Sequence, residues 1–475
     1  MKNLTVSLHI AVIAALFSAG SVQASDLAEV YARALQNDPL IREAEANRLA
    51  ALESRPQALA ALLPQVEASA GYNEREATGA NPFAGFDGSG NIVTLVSRTN
   101  SDAETRSWDL SLRQSVFRWE NWVNLGLSGK EVAQAELDYQ AAQQDLMLRS
   151  AERYFNVLAA KDTLDAAEAT LEALKRQLEQ AEKRFEVGLI AITDVKDSQA
   201  AYDSALASVI AGKRSLATQQ EFLRELTGDR FDELARPGEG LALAAPDPAN
   251  EDDWVRLAME QNLRLSSSRV AAEITRDNIS LQQGGRYPRL DLVLAKGNTD
   301  VTGNRRFSYT DPVTGQPVSN INTLDSDTDD TTVSLQFTLP LYSGGAVSSR
   351  VREAEYRHRA ARERLERTAR ETERAARDAY LGVMSEMSRV RALRQAVDSA
   401  QVALESTEAG YEVGTRTTVD VLEARRRLFD AQTNYARSRY DYLLNVLRLQ
   451  LAAGTLAPID IAQINGQLDE TIKLR

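Results

Sequence analysis

The stretch Arg184-Phe185-Glu186-Val187-Gly188-Leu189-Ile190-Ala191-Ile192-Thr193-Asp194-Val195 decides how the chain is read. It returns 226 positions later, 184 against 410, as Gly410-Tyr411-Glu412-Val413-Gly414-Thr415-Arg416-Thr417-Thr418-Val419-Asp420-Val421. Glu, Val, Gly, Asp and Val recur in place, and an aromatic stands ahead of both copies. The flanking segments have helical periodicity, so each copy reads as the turn of an αα-hairpin. Glycine ends the incoming helix, and a Thr-Asp or Thr-x-x-Asp pair caps the outgoing one by accepting free backbone N–H groups. The chain is built twice: a first repeat over 25–250, closed by a Pro/Gly-bearing linker at 228–250, and a second over 251–475.

Outward from the turns, the helices carry seams. Leu164, Ala167, Leu171, Leu174, Leu178, Ala181 and Phe185 lead into the first turn, and Val390, Leu393, Val397, Ala400, Leu404, Thr407 and Tyr411 into the second. Both runs step by 3 and 4, as in a coiled coil. Val195, Ser198, Tyr202 and Ala205, and Val421, Ala424, Leu428 and Ala431, return from them. The incoming helices, predicted over about 122–187 and 344–411, are each roughly 100 Å long at ~1.5 Å per residue. Each turn is thus the tip of an antiparallel coiled coil pointing away from the strands. The Arg/Glu-rich run 345–378 reads as a solvated helix face laced with i,i+4 pairs.

Ahead of each long helix the period changes to two. Strands are predicted at about 64–73, 108–118, 288–296 and 332–342, with the polar stretches 74–106 and 297–330 as long surface loops. Val66, Leu110, Leu112, Leu335 and Phe337 alternate with Glu67, Arg113 and Gln336, which suits lipid on one side and a wet lumen on the other. Trp108 lies at one end of its segment and Phe117, Trp119 and Trp122 at the other, a spacing of ~25 Å that matches interfacial aromatic girdles. Four strands cannot close a barrel, and an open edge cannot stand in lipid. Either three copies share a barrel of about 12 strands, or the chain is a soluble periplasmic coiled-coil scaffold or adaptor.

Composition narrows the chemistry. The 475-residue chain has a formal net charge of −13, which disfavours a nucleic-acid partner. With no cysteine there is no disulfide, thiolate metal site or lipid-bearing thiol. Of the two histidines, His9 falls in the leader and only His358 remains, so a histidine triad or multi-histidine metal site is not expected. Neither an enzyme, a cofactor nor a metal is anticipated. Lys2, the apolar run Leu8 to Phe17 and Val22-Gln23-Ala24 read as a signal peptide over 1–24. Asp325-Ser326-Asp327-Thr328-Asp329 lacks the glycine and final Glu of a calcium loop. Gly85, Gly88 and Gly90 precede no helix that could bind phosphate.

Asn37-Asp38-Pro39, Leu63-Pro64-Gln65, Tyr154-Phe155-Asn156-Val157-Leu158, Leu339-Pro340-Leu341-Tyr342-Ser343-Gly344-Gly345 and the two turn motifs occur in that setting and order. On these motifs the chain resembles the outer-membrane factor (outer-membrane efflux protein) family along essentially its whole mature length. The missing cysteine points away from lipid-anchored members. The resemblance implies a mainly α fold with a small β part. In it, a homotrimer shares one 12-stranded outer-membrane β-barrel that continues into a coiled-coil tunnel across the periplasm. It further implies a passive exit duct for multidrug efflux or type I secretion. The duct would open when an inner-membrane RND, ABC or MFS transporter and a periplasmic adaptor (membrane fusion protein) dock, with outer-membrane lipid around the barrel.

The same resemblance assigns roles at the tips. Asp420 and Glu423 would form the constriction, Glu423 standing where the family has an aspartate. Thr193 and Asp194 on the outer coil, Tyr411 and Arg416 on the inner one, and Gln177 facing Glu408 would be the latch. Val187, Gly188, Leu189, Val413, Gly414 and Thr415 would meet the adaptor. Carboxylates gathered round one axis should raise some of each other's pKa values. From spacing alone, Asp194 and Asp420 serve equally as helix caps.

Overall fold

A computed structural model describes residues 25–238 and 240–474. The expected signal peptide, 1–24, lies outside the described residues. The chain opens with α1 (Leu27–Asn37), α2 (Pro39–Leu52) and α3 (Ser54–Ala60), then β1 (Gln65–Phe86) and β2 (Ile92–Arg118). α4 (Trp119–Glu186) and α5 (Ile192–Thr227) form the first long hairpin, followed by β3 (Glu233–Pro237). The order then recurs: α6 (Glu251–Gln261), α7 (Leu263–Gln283), β4 (Arg289–Thr310), β5 (Pro317–Thr338), α8 (Ala346–Glu412) and α9 (Thr418–Ala453). α10 (Pro458–Asn465) and β6 (Leu468–Lys473) follow. Two compact units result, and each takes pieces of both sequence repeats.

One unit comprises Ala50–Ala133 and Ala271–Arg362. Its sheet has four strands in the order β1-β2-β4-β5, antiparallel throughout. Because side chains alternate in a strand, the register sorts residues by face. Val66, Leu112, Leu294 and Val333 lie in one row on one face, and Gln65, Arg113, Val293 and Ser334 in the adjacent row on the other. Val66, Leu110, Val333, Leu335 and Phe337 are exposed. The outer sides of the edge strands, β1 and β5, have no pairing partner among the described residues.

The strands correct the expected loops. β1 and β2 pair without interruption from Gln65↔Arg113 to Phe86↔Ile92, and β4 and β5 from Arg289↔Thr338 to Thr310↔Pro317. Only 87–91 and 311–316 remain as turns. From Asn73 to Asn81 and from Ser97 to Ser107 both faces are mostly polar, so the two-residue contrast fades although the backbone ladder continues. Asp325–Asp329 therefore sits within β5 and Gly85 within β1, not in loops. Gly303 is required by this ladder: a Cβ there would lie 2.0 Å from the Asp102 carbonyl oxygen. Trp119 and Trp122 open α4 instead of ending β2, and the Trp119 indole N–H donates to Ser280 O at 3.2 Å.

The other unit comprises Met1–Leu49, Gln134–Val270 and Glu363–Arg475. Tyr154, Phe155, Leu158, Leu223, Leu443 and Leu447 form its buried centre, where Phe155 stacks on Tyr440 at 5.6 Å. β3 pairs antiparallel with β6, and the Tyr154 hydroxyl donates to Ala235 O. Asn37 donates to Thr227 O at 2.7 Å, closing the carbonyl end of α5, and the neighbouring Asp38 accepts from Leu40 N at 3.2 Å and from Arg149 at 2.6 Å. Pro39 fits the first turn of α2, where no N–H is needed. Pro56 likewise falls in the first turn of α3, after a break at Glu53. No described helix is long and apolar enough to cross a membrane.

Candidate functional site at the hairpin tips

The two turns are built alike. Gly188 N donates to Phe185 O at 2.9 Å and Leu189 N to Arg184 O at 2.9 Å; Gly414 N donates to Tyr411 O at 3.1 Å and Thr415 N to Gly410 O at 2.8 Å. Gly188 and Gly414 have φ of 71° and 79°, in the left-handed region that ends helices. These bonds spend the last carbonyls of α4 and α8 and turn the apolar residues outward. Val187 is 69% exposed, Leu189 73% and Val413 76%, an apolar cap on each hairpin that no described residue covers.

The outgoing helices begin differently. Thr417 is the N-cap of α9: its Oγ1 accepts from Asp420 N at 3.2 Å, while Asp420 Oδ2 accepts from Thr417 N and Oγ1, each at 2.8 Å. This full capping box holds the Asp420 carboxyl below its ordinary pKa; the Thr417 N–H contributes most, then its hydroxyl, with Arg416 nearby adding to the effect. Within one protomer the cap thus opposes the rise expected from a carboxylate ring. At α5 the N-cap is Ala191, which has no side-chain acceptor, so only Asp194 contributes, accepting from Ala191 N at 3.3 Å. Thr193 lies in the first turn of α5 and does not cap it.

The residues expected to form a latch and a constriction lie along both hairpins. The Tyr411 ring lies under the Arg184 guanidinium at 5.1 Å, and its hydroxyl accepts from Thr418 Oγ1 at 3.4 Å. Arg416 is exposed, its stem folded against the turn so that a Cβ on Gly410 would lie 2.8 Å from its Cγ. Its guanidinium makes no hydrogen bond or ion pair among the described residues. Glu423 pairs with Arg427 at 3.3 Å. The expected Gln177–Glu408 contact is not made: Glu408 pairs with Arg425, and Gln177 makes no side-chain hydrogen bond among the described residues. Arginine outcompetes a neutral carboxamide for a carboxylate because both partners are charged. The Thr417-x-x-Asp420 cap was expected from the sequence, whereas Arg184, Thr418 and Arg425 were given no role. Arg425 is hidden in the run Arg425-Arg426-Arg427, which reads as a solvated face.

Two alike hairpin tips and an exposed apolar sheet face set the frame for comparison with known proteins. A family model described as outer membrane efflux protein matches residues 30–229 and 254–455, one span in each repeat. The chain belongs to the outer membrane efflux protein family. It is 36% identical over 468 residues to outer membrane protein TolC of Vibrio cholerae, covering 98% of this chain and 99% of that protein. It is 28% identical over 449 residues to the alkaline protease secretion protein AprF of Pseudomonas aeruginosa, covering 92% and 85% of the two chains. Among solved structures, the Campylobacter jejuni CmeC outer membrane channel superposes with a TM-score of 0.68 at 16% identity, over 93% of this chain and 90% of that one. As an efflux-family member, the chain is an outer-membrane protein whose role is that of an exit duct for efflux and type I secretion. Its long helices and its small β part are the family's architecture.

Proposed function

We propose that three copies close one barrel and that their hairpin tips form the gate of the duct. The observation that carries this reading is the four-stranded sheet with two unpaired edges and one exposed apolar face. Such edges are untenable in lipid, and joining β1 of one copy to β5 of the next removes them. Three copies then give 12 strands from four each, an even number within the range of outer-membrane barrels. Lipid covers the Val66–Leu112–Leu294–Val333 face, and the Gln65–Arg113–Ser334 face lines the passage.

At the hairpin tips, Asp420 and Glu423 form the constriction. Tyr411, Arg416, Thr193 and Asp194 latch neighbouring hairpins in the closed state. The guanidinium of Arg416 supports this, since it makes no hydrogen bond or ion pair among the described residues and is available to a neighbour. The apolar tips Val187, Gly188, Leu189, Val413, Gly414 and Thr415 receive a periplasmic adaptor, which links the duct to an inner-membrane RND, ABC or MFS transporter. The duct makes and breaks no bonds; the transporter supplies the energy. Native mass spectrometry of detergent-extracted outer-membrane protein tests the assembly. A trimer is expected, and a monodisperse monomer would overturn the reading in favour of a scaffold.

A further inference from the structure

Glu408 of α8 is bound by Arg425 of α9, a contact internal to the second hairpin. On the first hairpin, both polar atoms of the Gln177 carboxamide are buried and have no hydrogen-bond partner among the described residues. Arg425 Nε is buried and unpartnered as well. These groups share one neighbourhood. Leu174, one turn before Gln177, lines a groove with Leu422, Arg425 and Phe429. Further along α4, Arg184 sits 5.1 Å over the ring of Tyr411, which lies one turn beyond Glu408. Gln177 and Glu408 therefore lie between two contacts that join the hairpins. A buried carboxamide with neither donor nor acceptor bonded is unfavourable, and the acceptor nearest in kind is occupied by a guanidinium.

We propose that Arg425 is a positioning residue for the gate: by holding Glu408 inside its own hairpin, it withholds that carboxylate from Gln177 and keeps the two hairpins easier to part. The proposal rests on the gate reading above. It reverses the sign expected of an ordinary ion pair. A purely structural Arg425 would loosen the tip when removed. A withholding Arg425 tightens it, because Glu408 is released to accept from Gln177 across the hairpins.

The test is single-channel recording in planar bilayers, on a background already loosened by Tyr411→Phe and Arg416→Ser. Adding Arg425→Ala should lower open probability about tenfold, the effect of one charge-assisted hydrogen bond. Arg425→Lys should leave it unchanged, since an ammonium still holds Glu408. Gln177→Ala alone should be silent, and combined with Arg425→Ala it should cancel the fall. A rise or no change on Arg425→Ala overturns the proposal, as does a fall that survives Gln177→Ala. Should Arg425→Ala fail to assemble, Gln177→Ala decides by itself: a raised open probability would show that Gln177 already holds the gate. If the loosened background is no more open than wild type, the gate reading fails instead.

Discussion

Asn262 donates to Ala452 O at 3.0 Å, closing the carbonyl end of α9 just as Asn37 closes that of α5 through Thr227 O at 2.7 Å. Each contact spans 190 residues and is followed by a left-handed glycine, Gly228 or Gly454, with φ of 79° at both. One side chain thus ties the short helices of each repeat to the end of its long return helix. Asn262 Oδ1 also accepts from Leu265 N at 3.0 Å at the start of α7, so Asn262→Ala removes two bonds and should cost about 1–3 kcal/mol. The readout is a lower denaturant midpoint of the detergent-solubilised protein.

Gly188 and Gly414 have open space where a Cβ would stand, so only conformation opposes substitution. Gly414→Ala should destabilise its turn by about 1 kcal/mol. Amide exchange at Thr415 should quicken accordingly while exchange in the buried centre around Leu443 is unaffected.

The Tyr440 hydroxyl donates to Asp162 at 2.6 Å, and Arg236 lies 3.4 Å from the same carboxyl. Burial nevertheless lifts the Asp162 pKa above its ordinary value, against the lowering effect of these partners. A raised folded-state pKa favours the protonated form. The stability from that shift is complete below the unfolded carboxylate value and is lost as pH rises through the folded one. Tyr440→Phe removes a donor to the charged form and should cost about 1–3 kcal/mol. The loss should be larger at pH 7 than at acid pH, as measured by denaturation across that range.

Asp420 behaves in the opposite sense. Its lowered pKa means that the cap's contribution is present above the unfolded carboxylate value and is lost as pH falls through the folded one. Thr417→Ala removes the hydroxyl half of the box and should move the Asp420 midpoint up toward the ordinary carboxylate value. If Asp420 is the cation site of the constriction, block by multivalent cations should then weaken at a higher pH than in wild type.

In the proposed barrel, the sheet register separates lipid from lumen. Leu335→Lys places a charge on the apolar face and should cost about 2–4 kcal/mol near the membrane midplane, read as loss of outer-membrane assembly. Ser334→Lys, on the opposite face of the same strand, should assemble and shift ion selectivity.

The hairpins were legible in the sequence because the chain states them twice: the glycine turn, the aspartate in the first turn of the outgoing helix and the seams recur together, although only the second copy has a capping threonine. Strand existence was legible where one face is apolar and exposed, at Val66 to Tyr72 and Leu335 to Phe337. Strand length was not, because residues such as Asn100, Asn304 and Asn322 pair through their backbones with polar partners, Thr78 and Arg306, Asp102 and Thr323, and Arg305, leaving no pattern. Asn262 escaped notice because Leu263 follows it, where Asn37 is marked by Asp38-Pro39. The partner of Glu408 was not legible either. Arg425 stands beside Arg426 and Arg427, and only the antiparallel register of α8 and α9 singles it out.

The claim that the tips close the duct is tested most directly by planar-bilayer conductance of purified protein, wild type beside the Tyr411→Phe/Arg416→Ser double variant. Small wild-type currents that rise several-fold in the variant are the expected result. Inserted, assembled protein whose conductance is the same in both would contradict it.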